Sequence, residues 1–226
     1  MKILTLNINS IRAHAESFLD ILRRGEYDTI LVQELKVETA NFPHMLFDEF
    51  GYNIKVFGQK SWNGVAVFSK YSIEDVTMGM PNYADPHARF IECVIDGRVR
   101  VINTYMPNGD TVDSPKFPYK LEWMRAFTDY IAQYTNSIEP VIIAGDFNVA
   151  IEDRDIWKPK NYEGIAISAP ARPIVLMTNR TFFMEHIFFL SLFTYRFCHS
   201  FGPPDLVSGL TRQTGQIIVH FYMLLI

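Results

Sequence analysis

The chain of 226 residues is 48% hydrophobic and 20% charged, and its formal net charge is −4. This composition excludes a disordered protein and a generally basic nucleic-acid binder, and the length fits one large domain with a sizeable core. The two cysteines, Cys93 and Cys198, offer no disulfide framework, so we expect a protein of the reducing cytoplasm.

The N-terminal segment predicts a strand, a helix and a second strand, a unit of the parallel type. The apolar run at residues 2–8 predicts a buried strand, which would leave no room for a signal peptide before it. Ser10 is the expected N-cap of a helix whose apolar residues recur with the helical period, namely Ala15, Phe18, Leu19 and Leu22. Gly25 ends this helix, and Thr29–Val32 is the second buried strand.

Shorter β-segments follow and predict further strands. Four segments have strand character, namely Asn53–Phe57, Gly64–Ser69, Phe90–Ile95 and Val99–Met106. Asp96 and Gly97 mark a tight hairpin between the last two, residues 116–134 predict an amphipathic helix, and residues 141–145 predict a strand after Pro140. Strand-rich stretches interrupted by single helices predict an α/β fold, a sandwich of two packed sheets with outer helices.

Polar side chains stand directly after three of these buried strands. Asn7 lies at the end of the first strand, Glu34 follows the second, and Asp146 and Asn148 follow the strand at 141–145. Strand ends commonly carry the reacting groups of α/β and sandwich enzymes, because they reach the rim of a sheet. Carboxylate and amide oxygens are typical ligands of hard cations. The pattern therefore predicts a hard-cation site built from oxygen ligands.

An ordered set of short motifs extends this pattern over roughly residues 1–160. The set comprises Asn7-Ile8-Asn9-Ser10-Ile11-Arg12, Gln33-Glu34-Leu35-Lys36, Gly51-Tyr52, Gly58-Gln59-Lys60, Asn63-Gly64-Val65-Ala66, Arg89, Asn103-Thr104-Tyr105-Met106-Pro107-Asn108-Gly109, Lys116-Phe117, Lys120-Leu121 and Gly145-Asp146-Phe147-Asn148-Val149. In order and spacing, the set resembles the exodeoxyribonuclease III type of AP endonuclease in the endonuclease/exonuclease/phosphatase superfamily. Each motif alone is weak, whereas the ordered set is specific.

The resemblance implies a DNase I-like, four-layered α/β sandwich and a Mg²⁺-dependent DNA phosphodiesterase, with Mn²⁺ as a substitute ion. It makes Glu34 the principal metal ligand and places Asn7 beside it. Tyr105 would lie near the scissile phosphate, Asp146 would orient or activate the attacking water, and Asn148 would hold a phosphate oxygen. Phosphodiester cleavage needs neutralised phosphate charge and an in-line activated water, and these side chains suit both tasks.

The resemblance also implies how the protein meets its substrate. Arg89, Lys60 and Asn108 would contact DNA or its phosphates. Lys60, Lys116 and Lys120 are candidates for a DNA-facing rim, although each lysine alone is more often simply solvated. The expected substrate is double-stranded DNA with an abasic site or a 3′ end, processed in base-excision repair. We expect a monomer in the cytoplasm without membrane contact.

Each candidate residue also has a plain structural interpretation. Glu34 can be a solvated strand end, while Asp146 and Asn148 can cap the following turn. Tyr105 can be a core residue whose hydroxyl reaches the surface, and Arg89 can be a solvated charge on an edge strand. The motif context favours the functional interpretation for the carboxylates and amides, and it leaves Arg89 undecided.

The composition changes abruptly near residue 160. Residues 161–226 contain no lysine, whereas all nine lysines precede them, and they hold eight of the 18 phenylalanines. They also lack the Arg-Ile-Asp and Ser-Asp-His motifs of the family, and Val219 stands where an aspartate would precede His220. We assign His220 no catalytic role. We expect residues 1–165 to form the N-terminal part of the domain and residues 166–226 a divergent tail, so that the second half is incomplete.

A frameshift or sequence drift near residues 160–175 would explain this tail, and the resemblance implies that family members normally extend further. The apolar segment Ile187–Leu192 predicts a buried helix rather than a membrane span, because Glu185 and Arg196 interrupt the run.

Two other functions remain open. Without the family's C-terminal Asp-His, the chain can be a remnant that folds in part and has no turnover. The superfamily also includes phosphatases and lipid phosphodiesterases that act on phosphoinositide or sphingolipid head groups. The motifs at Gly58-Gln59-Lys60 and Asn63-Gly64-Val65-Ala66 resemble the DNA-repair branch instead.

Overall fold

The computed structural model describes residues 1–149 and the backbone of Tyr222–Leu225. In chain order these residues form β1 Ile3–Asn7, α1 Ala15–Arg24, β2 Thr29–Gln33, β3 Asn53–Phe57, β4 Val65–Ser69, β5 Ile73–Met78, β6 Phe90–Ile95, β7 Val99–Tyr105, α2 Lys116–Ile131, β8 Val141–Asp146 and β9 Tyr222–Leu225. Short 3₁₀ turns lie between β2 and β3 and after α2.

The strands form two sheets. The first has the order β1-β2-β4-β3, in which β1 and β2 are parallel and the other pairs are antiparallel. The second has the order β5-β6-β7-β8-β9, in which β7 and β8 are parallel and the other pairs are antiparallel. Each sheet thus contains one parallel pair, whose two strands end at the same edge.

The described elements stack in four layers. Phe18 and Leu22 of α1 pack against the outer face of the first sheet, for example on Phe68. Trp123 and Phe127 of α2 cover the outer face of the second sheet. Between the sheets lies a third core, made of the inward-facing apolar residues Leu31, Val65, Val67, Ile91, Cys93, Ile95, Val101, Tyr105, Ile142 and Ala144. The predicted two-sheet α/β sandwich with outer helices is confirmed.

Helix α1 begins later than the sequence predicts, and Ser10 is not its N-cap. The helix starts at Ala15, and the Ser10 hydroxyl oxygen accepts a hydrogen bond from the backbone N–H of Ala13 at 3.2 Å. Ser10 therefore stabilises the turn before the helix, and its φ of 100° excludes it from helical geometry. Gly25 ends the helix as predicted, with a left-handed φ of 62°.

A helix end and one strand also differ from the sequence prediction. The predicted helix 116–134 ends at Ile131, and the chain continues as the 3₁₀ turn Ala132–Asn136. The sequence pattern does not predict β5, because this strand is largely exposed and its register shifts between Glu74 and Thr77. The predicted hairpin at Asp96 is present, since Ile95 pairs with Val99.

Several predictions for the tail lie outside the described residues. These are the division after residue 165, the frameshift near 160–175, the buried helix at Ile187–Leu192 and the status of His220. The backbone of β9 pairs antiparallel with β8, where Tyr222 lies opposite Gly145. Within the described part of the chain, no helix has the length and apolarity needed to cross a membrane.

Candidate active site

Four of the predicted site residues meet at one edge of the two sheets. The side-chain Nδ2 of Asn7 donates hydrogen bonds to Glu34 Oε1 and to Asp146 Oδ2, each at 2.8 Å. The Tyr105 hydroxyl donates to the same Glu34 Oε1 at 2.9 Å. Because one nitrogen reaches both carboxylates, the two acceptor oxygens are no farther apart than twice that distance. The side chains therefore share one small site.

The parallel strand pairs explain this convergence. Asn7 pairs with Gln33 at the ends of β1 and β2, and Glu34 follows directly. Tyr105 pairs with Asp146 at the ends of β7 and β8. Because the two sheets pack face to face, the residues that leave the first sheet at this edge meet those that leave the second. This packing brings Asn7 and Asp146 into contact although they are far apart in sequence.

The backbone turns sharply where the strands end. Glu34 has a φ of 54° and Asn148 a φ of 49°, both in the left-handed region. Such conformations of non-glycine residues are sparsely populated and concentrate at functional sites. Gly145 has a φ of 144°, and a Cβ atom there would lie 1.9 Å from the carbonyl oxygen of Thr104. Only glycine allows β8 to approach β7 this closely just before Asp146.

Asp146 is both a turn-capping residue and part of the site. Its Oδ1 accepts a hydrogen bond from the backbone N–H of Asn148 at 3.0 Å, while its Oδ2 faces Asn7. Burial raises the pKa of the Asp146 carboxyl to about 6, although the hydrogen bonds from Asn7 and Asn148 oppose this shift. A carboxylate with a pKa close to neutrality is suited to accept a proton from water.

The raised pKa of Asp146 predicts a pH-dependent cost in stability when divalent metal is absent. The folded state holds the Asp146 proton to a higher pH than the unfolded state does. The stabilisation from this group is therefore complete below about pH 4 and is lost as the pH rises through about 6. Relative to Asp146→Asn, we expect the unfolding free energy of the wild type to fall between pH 4 and pH 7, by on the order of 3 kcal/mol at most.

Urea denaturation of both proteins in EDTA at several pH values measures this difference. Because the other titrating groups are shared, most of their contributions cancel in the comparison of the two curves. Parallel curves for the wild type and Asp146→Asn would show that the Asp146 carboxyl titrates in its ordinary range.

Tyr105 and Arg89 form a stacked pair beside the carboxylates. The Arg89 guanidinium lies 4.9 Å from the centre of the Tyr105 ring and 6.0 Å from that of Tyr119, and it donates to the backbone carbonyl of Tyr105 at 3.2 Å. Burial and the nearby charges of Glu34 and Asp146 raise the pKa of Tyr105, so its hydroxyl stays a hydrogen-bond donor. Arg89 is half-buried and packed between aromatic rings, so it is not a solvated edge-strand charge.

The expectation that Lys120 lies on an exposed DNA-facing rim is wrong. This lysine is fully buried, and its Nζ donates to the backbone carbonyls of Asn148 at 2.6 Å and Asn108 at 3.2 Å. Burial lowers the pKa of Lys120 to about 8. Its role in the described structure is to join the loop after β7 to the loop after β8. The side chains of Asn108 and Lys116 are exposed, as a contact with DNA requires.

Asn148 and Lys60 lie in loops that are tied to the site. The Asn148 side chain is largely buried, and its Nδ2 donates to the Met106 carbonyl at 2.8 Å. Lys60 is exposed, and the neighbouring Gln59 Oε1 accepts a hydrogen bond from the backbone N–H of Ala88 at 3.2 Å. The loop that carries Lys60 is therefore attached to the segment that carries Arg89.

Lys36 is a site residue to which the sequence analysis assigns no role. Its Nζ lies 3.0 Å from Glu34 Oε2 and also donates to Asn9 Oδ1. The ammonium group thus offsets part of the negative charge that Glu34 and Asp146 concentrate at this edge. The contact depends on the turn after β2, where Glu34 and Lys36 have left-handed φ values of 54° and 53°, so the strand pattern does not predict it.

The donor set of the site fits a Mg²⁺ ion. No group of three or more His, Cys, Asp or Glu side chains suited to a metal occurs among the described residues. Mg²⁺ does not need such a cluster, because it usually binds one or two carboxylates together with water and substrate phosphates. Glu34 provides a carboxylate for such an ion, and the Asp146 carboxylate lies close to it. Asn7 presents its Nδ2 to both carboxylates, while its Oδ1 accepts a hydrogen bond from the Asn9 backbone N–H at 3.0 Å.

The chain is similar to known proteins over most of its length. The profile of the Endonuclease/Exonuclease/phosphatase family matches residues 4–209. Exodeoxyribonuclease III of Haemophilus influenzae is 31% identical over 161 residues, which are 69% of this chain and 60% of that protein. An exodeoxyribonuclease of Bacillus subtilis is 30% identical over 71% of this chain and 63% of that protein. The chain thus spans less than two thirds of the length of these relatives.

Solved structures give the same picture of the fold. The 3′-5′ exonuclease NExo from Neisseria meningitidis aligns with a TM-score of 0.72 and 35% identity, covering 77% of this chain and 68% of that chain. An AP endonuclease from Archaeoglobus fulgidus aligns with a TM-score of 0.72 and 34% identity over the same shares. A further Neisseria structure, the 3′ phosphatase NExo bound to a product DNA hairpin, aligns equally well, with a TM-score of 0.72.

Proposed function

Because the chain belongs to the endonuclease/exonuclease/phosphatase family, we propose that it is a hydrolytic nuclease of DNA repair. The family match and the relatives confirm the predicted resemblance to the exodeoxyribonuclease III type. The single observation that carries the proposal is the convergence of Glu34 and Asp146 on the Asn7 amide. Two adjacent carboxylates at a sheet edge suit metal-assisted attack on a phosphodiester.

The proposed cofactor is Mg²⁺, with Mn²⁺ as a substitute. Glu34 would be its principal protein ligand, and Asn7 would lie beside it. When bound, the ion would neutralise negative charge on the scissile phosphate. Lys36 would hold the Glu34 carboxylate in place through its 3.0 Å ion pair.

The remaining residues of the site would act on the water and on the phosphate. Asp146 would accept a proton from the attacking water, and its hydrogen bond from the Asn148 N–H fixes the carboxylate for this task. Tyr105 would offer its hydroxyl as a donor near the scissile phosphate, with the ring held in place by Arg89. Asn148 would hold a phosphate oxygen, and Arg89 would add positive charge.

The proposed substrate is duplex DNA with an abasic site or a 3′ end. The relatives named above include exodeoxyribonucleases and an AP endonuclease, and one neighbour is described as a 3′ phosphatase bound to product DNA. In this chain the exposed side chains of Lys60, Asn108 and Lys116 are the proposed contacts with DNA or its phosphates. We propose a monomeric, cytoplasmic enzyme.

Cleavage of a duplex with a single abasic site tests this function in the full chain. We expect strand nicking with Mg²⁺ to exceed the rate in EDTA by at least about a hundredfold, because the site relies on electrostatic stabilisation of the phosphate. Parallel assays on recessed 3′-hydroxyl and 3′-phosphate ends measure the exonuclease and phosphatase activities.

Two results would contradict the proposal. Release of phosphate from a phosphoinositide head group without any DNA cleavage would move the chain to the lipid branch of the superfamily. A folded protein that cleaves none of these substrates would identify the chain as a remnant without turnover, which is the second candidate function.

A further inference from the structure

The core between the two sheets contains a buried pair of amide side chains. Gln33 on β2 and Asn103 on β7 are almost completely buried among the apolar residues of this layer. Gln33 Nε2 donates to Asn103 Oδ1 at 2.7 Å, across the gap between the sheets. We call these two side chains the amide bridge. Buried amides are costly unless they are hydrogen-bonded, so their presence in this layer needs a reason.

The side-chain nitrogens of the amide bridge have further hydrogen-bond acceptors around them. Asn103 Nδ2 donates to the backbone carbonyls of Val32 at 3.1 Å and Ala66 at 2.9 Å, both in the first sheet. Gln33 Nε2 also contacts the Thr5 hydroxyl at 3.0 Å. Asn103, on the second sheet, thus contacts both β2 and β4. Gln33 contacts β1 through Thr5.

The amide bridge lies directly beneath the site. Gln33 immediately precedes Glu34, and Asn103 precedes Tyr105 by two residues, so Asn103 and Tyr105 project from the same face of β7. Both reach the first sheet, since the Tyr105 hydroxyl contacts Glu34 at 2.9 Å. The bridge therefore fixes the distance between the two sheets, and the Tyr105–Glu34 hydrogen bond depends on the same distance.

Glu34 needs support of this kind. Its φ of 54° is sparsely populated for a residue with a side chain, and such conformations persist when their surroundings hold them. Two backbone hydrogen bonds define the turn around it, from the Ser10 N–H to the Glu34 carbonyl at 2.7 Å and from the Leu35 N–H to the Gly64 carbonyl at 3.2 Å. The bridge anchors the preceding residue.

We propose that Gln33 and Asn103 are positioning residues, which hold the Glu34 side of the site at a fixed distance from the Tyr105 and Asp146 side. This inference rests on the proposed function for its catalytic consequence. Its structural content, the fixed geometry of the turn at Glu34, is independent of that function. Small displacements of catalytic groups lower rates strongly, so the bridge contributes to turnover without touching substrate.

The test compares Gln33→Met, Asn103→Leu and the double variant. Each single change leaves one buried amide without its partner, whereas the double change replaces both by apolar groups that can pack together. We expect the double variant to regain part of the melting temperature lost by the singles, since the Val32 and Ala66 carbonyls still lose the Asn103 donor. Its kcat should nevertheless remain about 10–100-fold below that of the wild type, with the affinity for DNA unchanged.

Thr104→Val is the matched control. Thr104 lies between Asn103 and Tyr105 and is buried, and its hydroxyl has no hydrogen-bond partner within the described part of the chain. Removing this hydroxyl should leave both kcat and melting temperature close to those of the wild type.

Hydrogen exchange supplies a readout that does not depend on activity. In metal-free protein, the amides of Ser10 and Leu35 should exchange about tenfold faster in the double variant, while the Val94 amide in the β6–β7 pair stays protected. Unchanged exchange at Ser10 and Leu35, or a kcat that recovers together with the melting temperature, would overturn the proposal.

These experiments also distinguish two further outcomes. If the wild type cleaves no DNA, the proposed function fails, and the exchange data still decide whether the bridge positions Glu34. If the double apolar variant does not fold, the reciprocal swap Gln33→Asn with Asn103→Gln takes its place. The swap keeps an amide on each strand and should exceed both single variants in kcat. A swap no better than the singles would count against the bridge.

Discussion

Replacing Glu34 by glutamine is expected to lower kcat for Mg²⁺-dependent DNA cleavage by about 10²–10³-fold. Glu34 Oε1 accepts hydrogen bonds from Asn7 and Tyr105, and its Oε2 pairs with Lys36 at 3.0 Å. Glutamine keeps the size of the side chain but removes the negative charge that would attract the metal. Single-turnover cleavage of abasic duplex DNA over a Mg²⁺ titration measures the effect. The rate of the variant should not reach that of the wild type at high Mg²⁺.

Glu92→Gln provides a matched control for this substitution. Glu92 is also a buried glutamate, but it lies under α2, where it accepts hydrogen bonds from Arg100, Tyr130 and Tyr134, each at 2.8 Å. Its replacement should lower the melting temperature while leaving the kcat of the folded protein unchanged. A Glu34→Gln protein that cleaves DNA at the wild-type rate would remove Glu34 from the proposed metal site.

The strand ends could be located from the sequence because two local signals coincide there. Apolar β-branched runs predict buried strands, and each run is followed at once by an amide or a carboxylate. The packing of two sheets that each contain a parallel pair then brings Asn7, Glu34, Tyr105 and Asp146 to one edge. The meeting of these residues followed from local pattern and topology, whereas their chemical roles remain predictions.

The burial of Lys120 could not be predicted in this way. A lysine in the second turn of an amphipathic helix is usually solvated, and no local feature marks it as buried. Its position depends on the backbone carbonyls of Asn108 and Asn148, which lie in two separate loops. Arg89 was undecided for a similar reason, since the Tyr105 and Tyr119 rings that enclose it come from β7 and α2.

The amide bridge is another feature that local sequence patterns could not predict. Gln33 and Asn103 are 70 residues apart, and each alone looks like a polar residue near the end of a strand. Only the register of the two sheets places them opposite each other. By contrast, the start of α1 was missed for a local reason, because a serine can cap a single turn as readily as a helix.

Replacing Asp146 by asparagine is expected to lower kcat by about 10²–10⁴-fold, the range for loss of a general base. Asparagine cannot accept a proton at this place, although its size and its burial are similar. The effect should differ from that of Glu34→Gln in one respect. The Mg²⁺ concentration that gives half-maximal rate should stay close to that of the wild type, because Glu34 remains the principal proposed ligand.

Asp28→Asn is the matched control for Asp146→Asn. Asp28 stands just before β2, at the end of the strand opposite Glu34, and its Oδ2 accepts a hydrogen bond from the Lys2 N–H at 2.7 Å. Its replacement should leave kcat and the Mg²⁺ dependence unchanged. A shift in the Mg²⁺ requirement of Asp146→Asn as large as that of Glu34→Gln would mean that both carboxylates bind the metal. The proton from water would then need another acceptor, and the roles proposed for the two sides of the site would have to be reassigned.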